Sequence, residues 1–334
     1  EWNEYLAPKA LYELQNAGII TKVAANEFSF SSSSISHEFS FGTIMIPASG
    51  QPVSKAELRK LVEKVAVDCG ITVYGVSTGF TEKGMDLGSG NFLVLSKPSI
   101  AMITGDGATS SDVGEIWHMF DTRFRIPVTM ITASRFGSVD LSRYNVLIVA
   151  GSPNISSAVI DNIREWNRQG GTIIGYKTGN NWLSRNKIGE IEKIPAAQSD
   201  RKTGRYVNRS ADDQVRQNPG SIFEVKLDLS HPLCYGYTRE LLPVFKTGTA
   251  AVKKIPDIYN NPAIYTSDPL LSGYCTKENI ERIKGSAFVS VHKYRIISIY
   301  DNTNFRAIWY GTNKIFLNAV FFGQILQRFD RSIV

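Results

Sequence analysis

Four histidines, three cysteines and a scatter of carboxylates are the side chains in this 334-residue sequence whose types support catalysis or metal binding. The histidines are His37, His118, His231 and His292, and none of them opens a His-x-x-Glu, the spacing that brings an imidazole and a carboxylate onto one zinc ion. The nearest approach is His118-x-x-Asp121, with His231 far downstream. On a helix, Val113, Ile116, Trp117, Phe120 and Phe124 form the apolar stripe, which leaves His118 and Asp121 on the polar flank as a surface pair. Glu115, His118 and Asp121 would amount to a degenerate hydrolase only if the fold held all three within hydrogen-bond reach. Cys69, Cys234 and Cys275 make no Cys-x-x-Cys, so neither a zinc knuckle nor a redox motif is present. Cys69 follows an amphipathic helix and reads as a small buried apolar residue. No metal and no cofactor is expected.

Other polar residues gather where strands are expected to end. Gly105-Asp106-Gly107 follows an apolar strand, where backbone N–H groups can hold a phosphate against a helix start. The stretch has neither Gly-x-Gly-x-x-Gly nor Gly-x-x-x-x-Gly-Lys spacing, so a plain strand-to-helix turn is the simpler reading. A ligand cleft at the strand ends would combine Asp106, Glu115, His118, Lys177, Thr178 and Asn180, and would suit a small polar ligand, a peptide or a glycan. Trp182, Trp309 and the tyrosines near the chain end offer the surfaces of a carbohydrate or peptide groove, although most aromatics in a chain of this size belong to the core.

The elements that must position these groups follow from the apolar pattern. Pro8 suits a first helical turn, Leu11 and Leu14 supply an apolar face, and Gly18 is a stop signal. Strands are expected at 19–25 and 43–47, with the opening read as a βαβ-type unit and the serines at 31–34 as a loop. Ser54 and Glu57 form a capping box for a helix carrying Leu58, Leu61, Val62, Val65 and Ala66, ended by Gly70. The β-branched run 71–76 is expected to be another strand.

From residue 97 the spacing becomes strand (99–104), helix (111–124), strand (125–131), strand (145–150), helix (156–169) and strand (172–176). That order predicts an α/β fold: a mostly parallel sheet with helices on both faces, preceded by a smaller α/β domain. Ligands of such sheets sit beyond the strands' carboxyl ends, here 105–108, 151–154 and 177–181. Later strands are expected at 221–227, 250–252, 288–291 and 295–300, and a closing helix at 312–328.

The bulk numbers exclude several classes. The chain is 43% hydrophobic and 20% charged, an ordinary globular composition. No apolar run approaches the ~20 residues of a membrane-spanning helix. The 37 basic and 31 acidic residues give +6 and a pI near 9.1. The densest basic cluster is Arg185, Lys187, Lys193, Arg201, Lys202, Arg205 and Arg209, with only Tyr206 interleaved, so it reads as a solvated loop and not as a nucleic-acid surface. The sequence begins at Glu1 without a signal-peptide pattern and is expected to be a processed or excised piece.

Several stretches carry a family resemblance. They include Gly114-Glu115-Ile116-Trp117-His118-Met119-Phe120-Asp121, Asp140-Leu141-Ser142-Arg143-Tyr144-Asn145, Trp166 with Gly170-Gly171-Thr172, His231-Pro232-Leu233 and Phe305-Arg306-Ala307-Ile308-Trp309. Together they resemble the C-terminal region of bacterial zinc-carboxypeptidase-like proteins, a region with a class I glutamine amidotransferase-like, flavodoxin-like fold. Phe41-Gly42-Thr43-Ile44-Met45-Ile46-Pro47 and Asp86-Leu87-Gly88-Ser89 resemble the linking α/β segment of the same proteins. The resemblance implies domains at 1–96 and 97–334 and an upstream peptidase domain of the same polypeptide as partner. It also implies a periplasmic or extracellular location, with neither nucleic acid nor membrane involved.

Amidotransferase-like enzymes place a cysteine on a nucleophile elbow, a strand, then Gly-x-Cys-x-Gly, then a helix, where neighbouring N–H groups steady an oxyanion. The matching turn is Gly175-Tyr176-Lys177-Thr178-Gly179, with Lys177 in the cysteine's place. The downstream His-x-Glu is also missing, since Lys293 and Tyr294 follow His292. The resemblance therefore implies a non-catalytic accessory region. A small-ligand or glycan-binding module and a degenerate hydrolase are the alternatives.

Overall fold

The computed structural model describes residues 1–31, 36–196, 205–210, 213 and 216–328. The serines at 32–34 and the basic residues Arg201 and Lys202 lie outside the described residues.

The first segment opens with α1 (Ala7–Asn16), which has proline in its first turn and is followed by Gly18 at φ 80°. β1 (Thr21–Ala24), β2 (Phe28–Ser31), β3 (Ser36–Phe39) and β4 (Ile44–Met45) precede α2 (Lys55–Cys69). Helix α2 starts in a complete Ser54/Glu57 capping box and ends in a left-handed Gly70. β5 (Lys83–Gly84) and β6 (Phe92–Leu95) complete two three-stranded sheets, β4-β1-β6 and β3-β2-β5. All their pairings are antiparallel, so the expected βαβ unit is not formed. The strand expected at 71–76 is absent as well. Its β-branched side chains favour extended backbone, but a strand also requires a ladder of backbone bonds, and the run forms none among the described residues.

β7 (Ile100–Thr104), α3 (Ser110–His118), β8 (Val128–Thr132), α4 (Ala133–Phe136), β9 (Val146–Ala150), α5 (Ser157–Arg168), β10 (Thr172–Tyr176) and α6 (Gly179–Arg185) follow in order. After them come β11 (Ser221–Leu227), β12 (Leu241–Lys246), β13 (Ala263–Ser272), β14 (Ala287–His292) and β15 (Ile296–Ile299), with a closing helix at Asn313–Phe322. These strands form one sheet in the order β12-β11-β13-β14-β15-β10-β9-β7-β8. From β8 to β15 every ladder is parallel, and from β15 to β12 every ladder is antiparallel. The run expected at 250–252 contributes only a bridge from Val252 to Lys193.

Because side chains alternate across a strand, an unbroken apolar strand supplies two cores at once. In β9, Val146, Ile148 and Ala150 join Ile116, Phe120 and Phe316 on one face, while Leu147 and Val149 join Ile160, Ile163 and Leu183 on the other. Helices on both faces follow, as the strand–helix order implies. The first of these cores also takes in Trp2, Leu11, Val23 and Leu95 from the opening segment. Trp2 is fully buried, and its indole donates to Asn318 Oδ1 in the closing helix at 2.6 Å.

Two helical expectations need correction. Trp117, placed on the buried stripe of α3, is 41% exposed. The helix widens into a π turn at Met119–Phe124, and Met119 is buried there beside Phe120 and Phe124, which are buried as expected. The closing helix stops at Phe322, and Gly323–Arg328 tightens into 3-10 turns.

Burial lowers the pKa of His231 to about 4, and its Nδ1 accepts the Leu233 N–H at 3.1 Å. A proton on that nitrogen would remove the bond and charge a half-buried ring. The unfolded chain takes up this proton near the ordinary pKa of about 6.5 and the folded chain only near 4. Stability is therefore full above pH 6.5 and falls as the pH drops towards 4. Urea midpoints measured across that range should decline, and His231→Asn, which keeps an acceptor without titrating, should flatten the slope.

Candidate functional site

The turn that leaves β10 has the backbone of a nucleophile elbow. Lys177 has φ 47°, a left-handed conformation unusual outside glycine and asparagine, directly between the strand and α6. The flanking glycines are required by close approach. A Cβ on Gly179 would strike the Val149 carbonyl, and one on Gly175 would strike Asn180 Oδ1 and Leu183. The main chain is bolted to its neighbour by the Lys177 N–H, which donates to the Ile299 carbonyl at 2.8 Å.

The Lys177 ammonium turns to Asp112 Oδ1, 2.6 Å away. Asp112 stands in the first turn of α3 with its side chain 2% exposed, while that of Lys177 is 24% exposed. A buried carboxylate needs a counter-charge and hydrogen bonds to stay ionised at modest cost. It also occupies the helix start where an anion would otherwise sit.

The glycine turn after β7 is closed in a different way. The Ser152 N–H donates to the Gly107 carbonyl at 2.6 Å, the Thr109 N–H to the Ala150 carbonyl at 3.0 Å, and Ala108 bridges to Gly151. The loops after β7 and β9 thus pair with each other. Asp106 is exposed on this turn, away from Lys177's partner.

Of the six residues expected to line a cleft, Lys177, Thr178 and Asn180 share the elbow. Thr178 Oγ1 lies 3.3 Å from Thr109 Oγ1, and the buried Asn180 amide donates to the carbonyls of Lys177 and Ile299. Glu115 joins them indirectly. It accepts from Asn302 Nδ2 at 2.7 Å and from the Arg306 N–H at 3.0 Å, and Asn302 Oδ1 accepts the Tyr176 hydroxyl at 2.9 Å. Burial pushes the Tyr176 phenol far above its ordinary pKa. The Thr303 N–H donates to it, so it remains a neutral donor and acceptor. His118 is exposed, with Thr122 as its partner. Among the described residues no hydrogen bond joins Glu115, His118 and Asp121 to one another, and no cluster of three metal-ligating side chains occurs. His292 lies on β14, where burial lowers its pKa to about 4, and it meets Ser298.

The sequence reading passed over Asp112, Tyr176, Asn302 and Arg123. Asp112 carried a signal, since it falls four residues before Ile116 and eight before Phe120, a carboxylate on an apolar stripe. Arg123 carried none. Its guanidinium gathers Asn313 Oδ1 at 2.9 Å, the Ala307 carbonyl and the Tyr310 ring, residues nearly two hundred positions away. It pins the loop after β15, in which Arg306 (φ 45°) and Ala307 (φ 54°) are both left-handed.

No protein-family model matches the sequence, and no curated protein matches it. Several solved structures are similar to part of the chain at low identity. A PurLQS structure from Thermotoga maritima is 13% identical over 66% of this chain and 97% of its own, with a TM-score of 0.44. A putative ThuA-like protein from Parabacteroides merdae is 13% identical over 67% and 89%, with a TM-score of 0.47. A β-galactosidase from Bacillus circulans is 14% identical over 70% of this chain and 31% of its own, with a TM-score of 0.36. These likenesses concern the architecture alone and do not bear on a zinc-carboxypeptidase relationship.

Removing Lys177 leaves Asp112 without its ion-pair partner. Lys177→Met should destabilise the chain by about 2–3 kcal/mol in urea denaturation, below the full value for a wholly buried pair because the lysine is partly wet. Adding Asp112→Asn should recover more than half of that loss. Gly179→Ala should cost at least as much, whereas Gly114→Ala, in an open helical position, should stabilise by about 0.5–1 kcal/mol.

Proposed function

We propose that this chain is a non-hydrolytic accessory region that packs on a peptidase domain of the same polypeptide. The observation that carries the reading is the elbow itself. Its strained backbone and its two glycines are those of a catalytic turn. Its side chain, however, is an ammonium held on a buried carboxylate. A lysine nucleophile must be free to reach its substrate, and this one is hydrogen-bonded to a buried carboxylate at 2.6 Å. No imidazole stands beside it to serve as base, since His118 and His292 are engaged elsewhere among the described residues. A turn with this chemistry serves to fix α3 and α6 on the sheet, and the architecture serves as a scaffold.

The resemblance of the short motifs to zinc-carboxypeptidase-like proteins supplies the partner and, with it, a periplasmic or extracellular setting.

Two measurements test the proposal. The purified chain, with and without added zinc, should release no ammonia from glutamine and no C-terminal residue from peptides. Turnover abolished by Lys177→Ala would overturn the non-hydrolytic reading. The natural polypeptide, cut at a protease site engineered ahead of Glu1, should still elute as one complex on gel filtration, and separation of the pieces would overturn the packing role.

A further inference from the structure

The opening segment contains a cavity that the elbow reading does not use. It measures about 730 Å³, within the range of small-molecule sites. It lies between two apolar clusters that do not merge. One comprises Ala10, Leu14 and Leu58 from α1 and α2, and the other Phe28, Phe30 and Phe39 from the β2–β3 hairpin. The three phenylalanines, each 6% exposed, form its inner apolar wall.

Cationic side chains line the same cavity. Lys22, Lys55 and Arg59 are among them. Arg59 is paired with Glu63 at 2.7 Å, whereas Lys22 and Lys55 have no ion-pair partner among the described residues. The acid on the lining, Glu1, is already matched by His37 at 2.9 Å. The third wall is the run 71–79, which has strand-like composition and no strand. Among the described residues, no backbone N–H or carbonyl of residues 73–77 makes a hydrogen bond. Tyr74, in this run, stacks on His37 with ring centroids 4.6 Å apart and holds the wall beside the hairpin.

We infer that this cavity binds a single-chain amphiphile, with its apolar chain between the two clusters and its anionic head at Lys22, Lys55 and the wall formed by residues 73–77, whose N–H groups make no hydrogen bond among the described residues. Apolar walls favour removal of an alkyl chain from water. Unpaired cations with open backbone donors favour a carboxylate or a phosphate over a neutral or cationic head. The cavity shares no lining residue with the elbow.

Dodecanoate and dodecyl phosphate, below their micelle concentrations, are the probes, with dodecyltrimethylammonium and butyrate as controls. Calorimetry of the full chain should show one saturable site for the carboxylate, the phosphate or both, and which arm binds identifies the head. The controls should bind at least tenfold more weakly. Val62→Trp, which fills the cavity from a half-buried position on α2, should weaken binding at least tenfold with an unchanged circular dichroism spectrum. Lys22→Glu with Lys55→Glu should do the same for the anions while sparing dodecanol. No binding by either anion, equal binding of the cationic control, or binding unaltered in a folded Val62→Trp protein would each overturn the inference. If Val62→Trp does not fold, displacement of the anion by dodecanol decides whether the chain occupies the cavity, and no displacement overturns the inference.

Discussion

The carboxylate of Asp112 is buried at the start of α3, and the cation that meets it among the described residues stands on the turn after β10. An unpaired charge at such a depth would be expensive, so the ion pair ties the identity of residue 177 to the packing of a different helix. Much of the strand-end geometry follows from that bond. Lys177 holds a left-handed backbone, α6 starts directly behind it, and Asn180 turns back to the Lys177 and Ile299 carbonyls. A turn of this shape elsewhere would expose a nucleophile. Here its side chain is committed to the fold.

A second buried charge holds the antiparallel half of the sheet to the parallel half. Lys246, at the end of β12, meets Asp301 just beyond β15 at 2.8 Å, and the Tyr265 hydroxyl donates to the same carboxylate at 2.7 Å. The Lys246 ammonium also donates to the Ala250 carbonyl, so its donors are well used. Phe245 stacks on Phe305 beside this pair, with centroids 3.7 Å apart. The loop after β15 is thereby fixed from one side by β12 and from the other by Arg123 and Glu115, which accounts for two consecutive left-handed residues persisting in it.

The opening segment is joined to this body and yet incompletely packed within itself. Trp2 and Leu11 share the core of the large sheet, and Lys314 of the closing helix donates to the Trp2 and Glu4 carbonyls. Burial lowers the pKa of that lysine to about 7, a cost accepted where the two parts meet. Farther out, the helical and aromatic clusters remain apart, and the backbone of residues 73–77 makes no hydrogen bond among the described residues. The same chain thus combines a densely satisfied sheet with a loosely closed outer unit.

What the sequence determined by itself was local and periodic. The unbroken apolar strands, the capping box at Ser54, the glycine stops and the spacing of Gly175 and Gly179 each act through neighbours in the chain, and each was legible as strand, helix or elbow. The parallel half of the sheet with two covered faces followed from them, because alternation along a buried strand leaves no other arrangement. What only the tertiary structure decided depends on partners distant in the chain. The run 71–76 has the composition of a strand but forms no backbone ladder among the described residues. Trp117 lies on the predicted stripe and is nevertheless 41% exposed, because no other element among the described residues covers it. Asp112 and Lys177 are 65 residues apart, and nothing in their types announces that one will neutralise the other. Periodicity shows which side of an element faces inward. It does not show which buried charge will meet which, because that depends on how separate elements are stacked.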